Sequence, residues 1–123
     1  MTQSHFDANI EFLAVWGSSG TNVFAAGQLN GHTPAMVRFN GTVWEDVNIP
    51  PLASNTTSLR AIWGTSASDV YCVGDGGAIL HFNGTRWSRT TMIGGGVLSG
   101  VWGASPTDIF VVGNDGAIFQ YDP

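Results

Sequence analysis

Few side chains in this sequence are equipped for chemistry, and those few recur at fixed spacing. Asp69 and Asp108 each fall six residues after a tryptophan, Trp63 and Trp102, and Asn22 takes the same place after Trp16. Two carboxylates at matched positions could act as general acid and base. Their recurrence beside a turn favours a plainer role, in which Asp and Asn accept backbone N–H bonds and fix a hairpin. Asp75 and Asp115 stand in the next tight turns, "GDGG" and "GNDG". Calcium binding is conceivable there, but each turn supplies too few carboxylates for a cage. His5, His32 and His81 share no metal-ligand spacing, and His81 aligns with Arg38 and Gln120 in a slot that reads as structural or channel-facing. No nucleophile has a recognisable base partner. The sequence therefore predicts no catalytic residue, no metal and no cofactor, and a hydrolase or lyase ranks last among the functions considered.

Five tryptophans invite a sugar-stacking reading, yet all occupy equivalent places: Trp16, Trp63 and Trp102 in one series, Trp44 and Trp87 in another. Aromatic side chains repeated in this way are expected to pack between structural units. The single cysteine, Cys72, aligns with Ala25 and Val111, so it reads as a small buried residue. Three N-x-[ST] matches, at Asn40, Asn55 and Asn83, mean little outside a glycosylating host.

The frame behind these positions is a repeat. "VWGSSGTNVFAAG" (15–27) returns as "IWGTSASDVYCVG" (62–74) and "VWGASPTDIFVVG" (101–113). In each copy eleven residues separate the tryptophan from the closing glycine, while the tryptophans themselves are 47 and then 39 apart. The first copy reads as four strands, "FLAVWG", "VFAAG", "PAMVRF" and "TVWEDV"; the second repeats them, and the third stops after "AIFQYDP". Asn40-Gly41 and Asn83-Gly84 each precede a tryptophan-bearing strand and predict hairpins with type I′ turns, in which both residues take positive φ. Second strands such as "IFVV" are apolar on consecutive residues, so both sheet faces should be covered, whereas fourth strands such as "TRWSRT" alternate. About 40 residues per four-stranded repeat with buried middle strands describes a β-propeller blade.

The pattern W-G, S-x-x-D-[VI]-[FY]-x-V-G-x-x-G-A-I and [FY]-N-G-T-x-W resembles the blades of bacterial propeller repeat proteins, loosely those grouped with Asp-box (BNR-like) repeats. It covers the chain from Phe12 onward. An Asp box reads S-x-D-x-G-x-T-W, and "NGTVW" and "NGTRW" space those residues differently. The resemblance implies the fold and no activity. Sialidase-type catalysis needs an arginine cluster with tyrosine and acid groups, which four scattered arginines and two tyrosines do not match.

Composition narrows the partners. With 43% apolar and 11% charged residues the 123-residue chain belongs with globular proteins. Its formal charge of −5, without a single lysine, makes nucleic acid and anionic membranes poor partners. No apolar run approaches the roughly 18 residues of a membrane span. The start, "MTQSHFDANI", has no signal-peptide pattern, which favours the cytoplasm and leaves a mature secreted form open.

A ring of three blades would bend its sheets too far to pack, since propellers have four to eight. The expected architecture is therefore a six-bladed ring built from two chains. In this reading 12–58 is blade 1, 59–97 blade 2 and 98–123 an incomplete blade 3. Residues 1–11 supply an outer strand, near Ser4 to Ile10, to the last blade of the partner chain, which removes an exposed edge. A monomeric β-trefoil is the alternative. Blade 1 is longer than blade 2 by four residues in "QLNGHTP" and by four more in "NIPPLASNTTS". Both insertions lie at one end of an up-and-down sheet, so they should enlarge one face of the ring. Variable loops on a rigid scaffold are where binding resides. Gln28, Asn30, His32, Asn55 and Thr56 are the candidate binding residues. The expectation is a non-enzymatic binding module for a carbohydrate or small polar ligand, because neutral hydrogen-bonding groups suit a sugar better than a phosphate. A protein-interaction scaffold is the second reading.

Overall fold

The computed structural model describes residues 6, 8–90 and 96–121 of the chain. Three antiparallel sheets follow one another along it, and no strand of one repeat hydrogen-bonds to a strand of another. The first is β1 (Ile10–Ser19), β2 (Asn22–Leu29), β3 (Thr33–Phe39) and β4 (Trp44–Asp46), in that order across the sheet. The second is β5 (Leu59–Ser66), β6 (Asp69–Gly74), β7 (Ile79–Phe82) and β8 (Trp87–Arg89). The third is β9 (Leu98–Ser105), β10 (Asp108–Gly113) and β11 (Ile118–Tyr121). The first strands of the sheets, β1, β5 and β9, lie beside one another, and each sheet steps outward from them. This is the arrangement of propeller blades about an axis. A β-trefoil is set aside by the same topology, because there the hairpins of different repeats share a barrel.

The sheets pack face to face through two clusters. Phe24, Ala26 and Met36 of blade 1 meet Leu59, Ile62, Val70, Cys72, Leu80, Phe82 and Trp87 of blade 2. On its other face blade 2 turns Tyr71, Val73 and Ile79 toward Leu98, Ile109 and Val111 of blade 3. Strand β6 is thus covered on both sides, which is why "VYCV" carries no polar residue. Burying each large apolar side chain stabilises the fold by about 1.5–3 kcal/mol. Burial also pushes the Cys72 thiol well above its usual pKa, so it is an inert core residue.

The invariant spacing from tryptophan to closing glycine has a steric cause. In the last half of each second strand the backbone at the start of the first strand, or just before it, comes so close that a Cβ on Gly27, Gly74 or Gly113 would collide with the carbonyl oxygen of Glu11, Ser58 or Val97. One residue more or less would move the glycine out of register with that approach.

Three local expectations are corrected. In the Asn-Gly turns only Gly41 (φ 99°) and Gly84 (φ 98°) have positive φ, so they are not type I′. The asparagine side chains explain this: Asn40 Oδ1 accepts from the N–H of Thr42 (2.9 Å) and Val43 (3.0 Å), and Asn83 does the same for Thr85 and Arg86. The paired positive φ occurs instead between second and third strands, at Asn30–Gly31, Gly76–Gly77 and Asp115–Gly116. The insertion "QLNGHTP" is mainly ladder rather than loop, because Gln28 pairs with Pro34 and Leu29 with Thr33. Finally, Ile10 belongs to β1, where it pairs with Leu29, and Asn9 accepts a bond from the Asn30 N–H. These two residues are committed to their own blade and are not an outer strand for a partner. Phe6 packs on Phe12 (5.5 Å) and Trp44 (6.0 Å) of the same chain. Ser4, His5, Asp7 and the end of the expected third blade, 122–123, lie outside the described residues.

Candidate binding groove beside the first linker

The chain passes from β4 to β5 through residues 47–58, the linker that carries the second insertion. Its far end is fastened by Asp75. The Asp75 carboxylate accepts from the backbone N–H and hydroxyl of Thr57, both 2.7 Å, and from the N–H (2.8 Å) and hydroxyl (3.1 Å) of Ser58. Burial alone would raise its pKa, but these bonds prevail and hold the carboxyl below its ordinary 3.8. Arg60 Nη2 adds a distant charge at 3.8 Å. Asp75 is therefore an anchor, and among the described residues no group of three or more His, Cys, Asp or Glu side chains could hold a metal ion.

On either side of the linker lies a cavity, and Pro50 lines both. The smaller, about 320 Å³, sits between the two insertions, walled by His32, Thr33 and Pro34 on one side and Ile49, Leu52, Ala53, Ser54 and Thr56 on the other. The larger, about 450 Å³, opens at the seam between blades 1 and 2. Its wall mixes Arg38 and Arg86 with Glu45 and Asp46, over Phe24, Phe82 and Trp87. Thr56 Oγ1 and Trp87 Nε1 are buried without a hydrogen-bond partner among the described residues, one in a residue of each wall.

The five residues expected from sequence divide accordingly. His32 and Thr56 meet in the smaller cavity, His32 with its Nδ1–H donating to the Asn30 carbonyl at 2.7 Å. Gln28 donates to Glu11 at 2.7 Å across the β1–β2 ladder, Asn30 forms the exposed turn, and Asn55 lies against Gly76. None of those three lines the cavity.

The larger cavity takes in two positions marked by the repeat, Arg38 of the polar slot and Trp87. Arg38, His81 and Gln120 do share a slot, and each pairs with the residue six after the tryptophan. Arg38 Nε donates to Asn22 Oδ1 (2.8 Å), His81 Nε2–H to Asp69 (2.7 Å) and Gln120 Nε2 to Asp108 (2.6 Å). The carboxylates thus bond side chains rather than the backbone of a turn, and Asp69 also accepts from the Thr65 hydroxyl of its own hairpin. The slot faces a seam between blades: the Arg38 guanidinium lies over both Phe24 (5.1 Å) and Phe82 (5.3 Å), one from each blade.

No protein-family model matches the sequence, and a search of curated proteins returns no match. Among solved structures the chain is similar to one described as "YCF48 bound to D1 peptide", a β-propeller. The TM-score is 0.75 at 15% identity, over 94% of this chain and 38% of that one. The chain has a β-propeller-like fold, then, and spans well under half the length of that relative in structure. Among the described residues no helix is long and apolar enough to cross a membrane.

Proposed function

We propose that this chain is a non-enzymatic binding module of a six-bladed, two-chain propeller, and that its ligand is an extended peptide segment of another protein. The observation that carries this is the wall of the two cavities. Pro34, Ile49, Pro50 and Leu52 make the smaller one a socket for an aliphatic side chain, and no aromatic ring lines it for a pyranose to stack on. In the larger one Phe24 and Phe82 are already covered by Arg38. Trp87 is itself buried, and the polar wall is two arginines beside two carboxylates, a set that suits the charged side chains and backbone of a peptide. The peptide in the similar structure belongs to that protein, and it makes peptides the first ligand class to test.

The test is a peptide display screen and a glycan array run on the same protein. The expected result is saturable peptide binding, weakened about tenfold or more by Leu52→Glu and by Arg86→Ala, with the glycan array silent. Glycan binding abolished by His32→Ala, with no peptide selected, would replace this reading by the carbohydrate one.

A further inference from the structure

The same face of the repeat is closed in blade 2 and open in blade 3. Val73 and Ile79 are 0% and 1% exposed beneath blade 3, while their equivalents Val112 and Ile118 are 41% and 74% exposed. The opposite face is open in part: Ile62 is 9% exposed against blade 1 and its equivalent Val15 is 69% exposed, while Ala25 (9%) and Val37 (2%) beside Val15 are covered. Blade 3 thus presents an open apolar face, and its counterpart on blade 1 is open along β1.

Two contacts recur at both internal seams and say how such faces meet. The first seats a tryptophan on the glycine of the next blade's Trp-Gly pair. A Cβ on Gly64 would lie 2.8 Å from Trp16 Cη2, and one on Gly103 would lie 2.5 Å from Trp63 Cη2. Only glycine leaves room for the indole. The second sets an aromatic ring of the second strand against one at the end of the next blade's third strand: Phe24 on Phe82 at 5.3 Å, and Tyr71 on Tyr121 at 6.0 Å. The third tryptophan, Trp102, is 58% exposed, and the described aromatic rings beside it are those of Trp63 and Phe110, each 6.5 Å away. The first glycine, Gly17, is exposed and meets only its own hairpin. Each series thus lacks one contact, and the missing donor and receiver are both in this chain.

We infer that blade 3 docks on blade 1 of a second copy, with Trp102 over Gly17 and Phe110 against Phe39 and Trp44. Used twice, this head-to-tail contact closes six blades about a two-fold axis. The inference rests on the two-chain ring and names its interface. Phe6 now sits on Trp44 and Phe12, where the incoming face must go, so it is displaced when the copies meet.

The head-to-tail geometry predicts a complementation result. Native mass spectrometry should give about 26 kDa for the wild type, twice the 13.0 kDa chain. Trp102→Arg and Val15→Glu, both on exposed positions and checked for folding by circular dichroism, should each run as monomers. Mixed together they should recover a dimer, since one of its two contacts is then wild type at both sides. Phe6→Ala should tighten the wild-type dimer several-fold. A wild-type monomer would overturn both the ring and its interface. A dimer that survives Trp102→Arg, or a mixture that stays monomeric, would overturn this interface alone. The groove between blades 1 and 2 lies within one chain, so peptide binding can be read separately on the monomeric variants.

Discussion

The two internal seams use one design with different side chains. Between blades 1 and 2, Arg38 reaches from Asn22 to lie over Phe24 and Phe82, and a cleft of about 450 Å³ opens beside it. Between blades 2 and 3, His81 stays on its own sheet, bonded to Asp69 and 4.6 Å from Tyr71, and Tyr71 crosses to Tyr121. The packing positions are kept and the polar slot is varied. The slot is therefore where a repeat can acquire a binding surface without losing its core.

The largest effect that could break this comparison lies in the shared packing. Phe24→Ala and Tyr71→Ala should each cost about 3–5 kcal/mol in urea unfolding, because each removes a buried ring from one seam. A clearly smaller loss at either position would mean that its seam is held elsewhere. The linkers come next. Asp75 receives four hydrogen bonds from the first linker, whereas its equivalent Asn114 accepts one among the described residues, from the Val97 N–H at 3.2 Å. Asp75→Ala should cost about 2–3 kcal/mol and Asn114→Ala about 0.5–1 kcal/mol.

The Asp75 anchor also has a pH signature. Its folded pKa is lowered, so its contribution is complete above 3.8 and drains as pH falls below that value through the folded pKa. Acid titration of unfolding free energy should show this slope in the wild type and a flatter one in Asp75→Asn. The smallest effect sharpens the comparison most. Arg38→Gln places the blade 3 residue in the blade 1 slot and should cost only about 0.5–1 kcal/mol, the value of an exposed cation–π contact. In a double-mutant cycle it should couple to Phe24→Ala and not to Tyr71→Ala.

Much of this was legible from repetition. Period and spacing located all three blades, and the consecutive apolar run of "VYCV" announced a sheet covered on both faces. The polar slot was visible too, but alternation only says that Arg38 and Phe24 share a face. It does not say whether that face meets a neighbour or a channel, and the answer depends on how sheets stack. The Asn-Gly turns misled for a related reason: the dipeptide permits two positive φ values, and the asparagine side chain satisfies the backbone with one. The groove was half seen, through His32 and Thr56. Its other half comes from β4 and the β7–β8 turn, which are brought together only when blades 1 and 2 pack.

The lengthened hairpin of blade 1 carries a rule for anyone who would graft onto this scaffold. Its four additional residues are shared two to each strand, so the even count leaves Met36 and Val37 pointing to the same sides as Ile79 and Leu80. A residue added to one strand and not to the other would slip the register and invert the side chains of that strand beyond it. Extensions of this arm come in matched pairs, one residue to each strand, and single residues belong only at the tip.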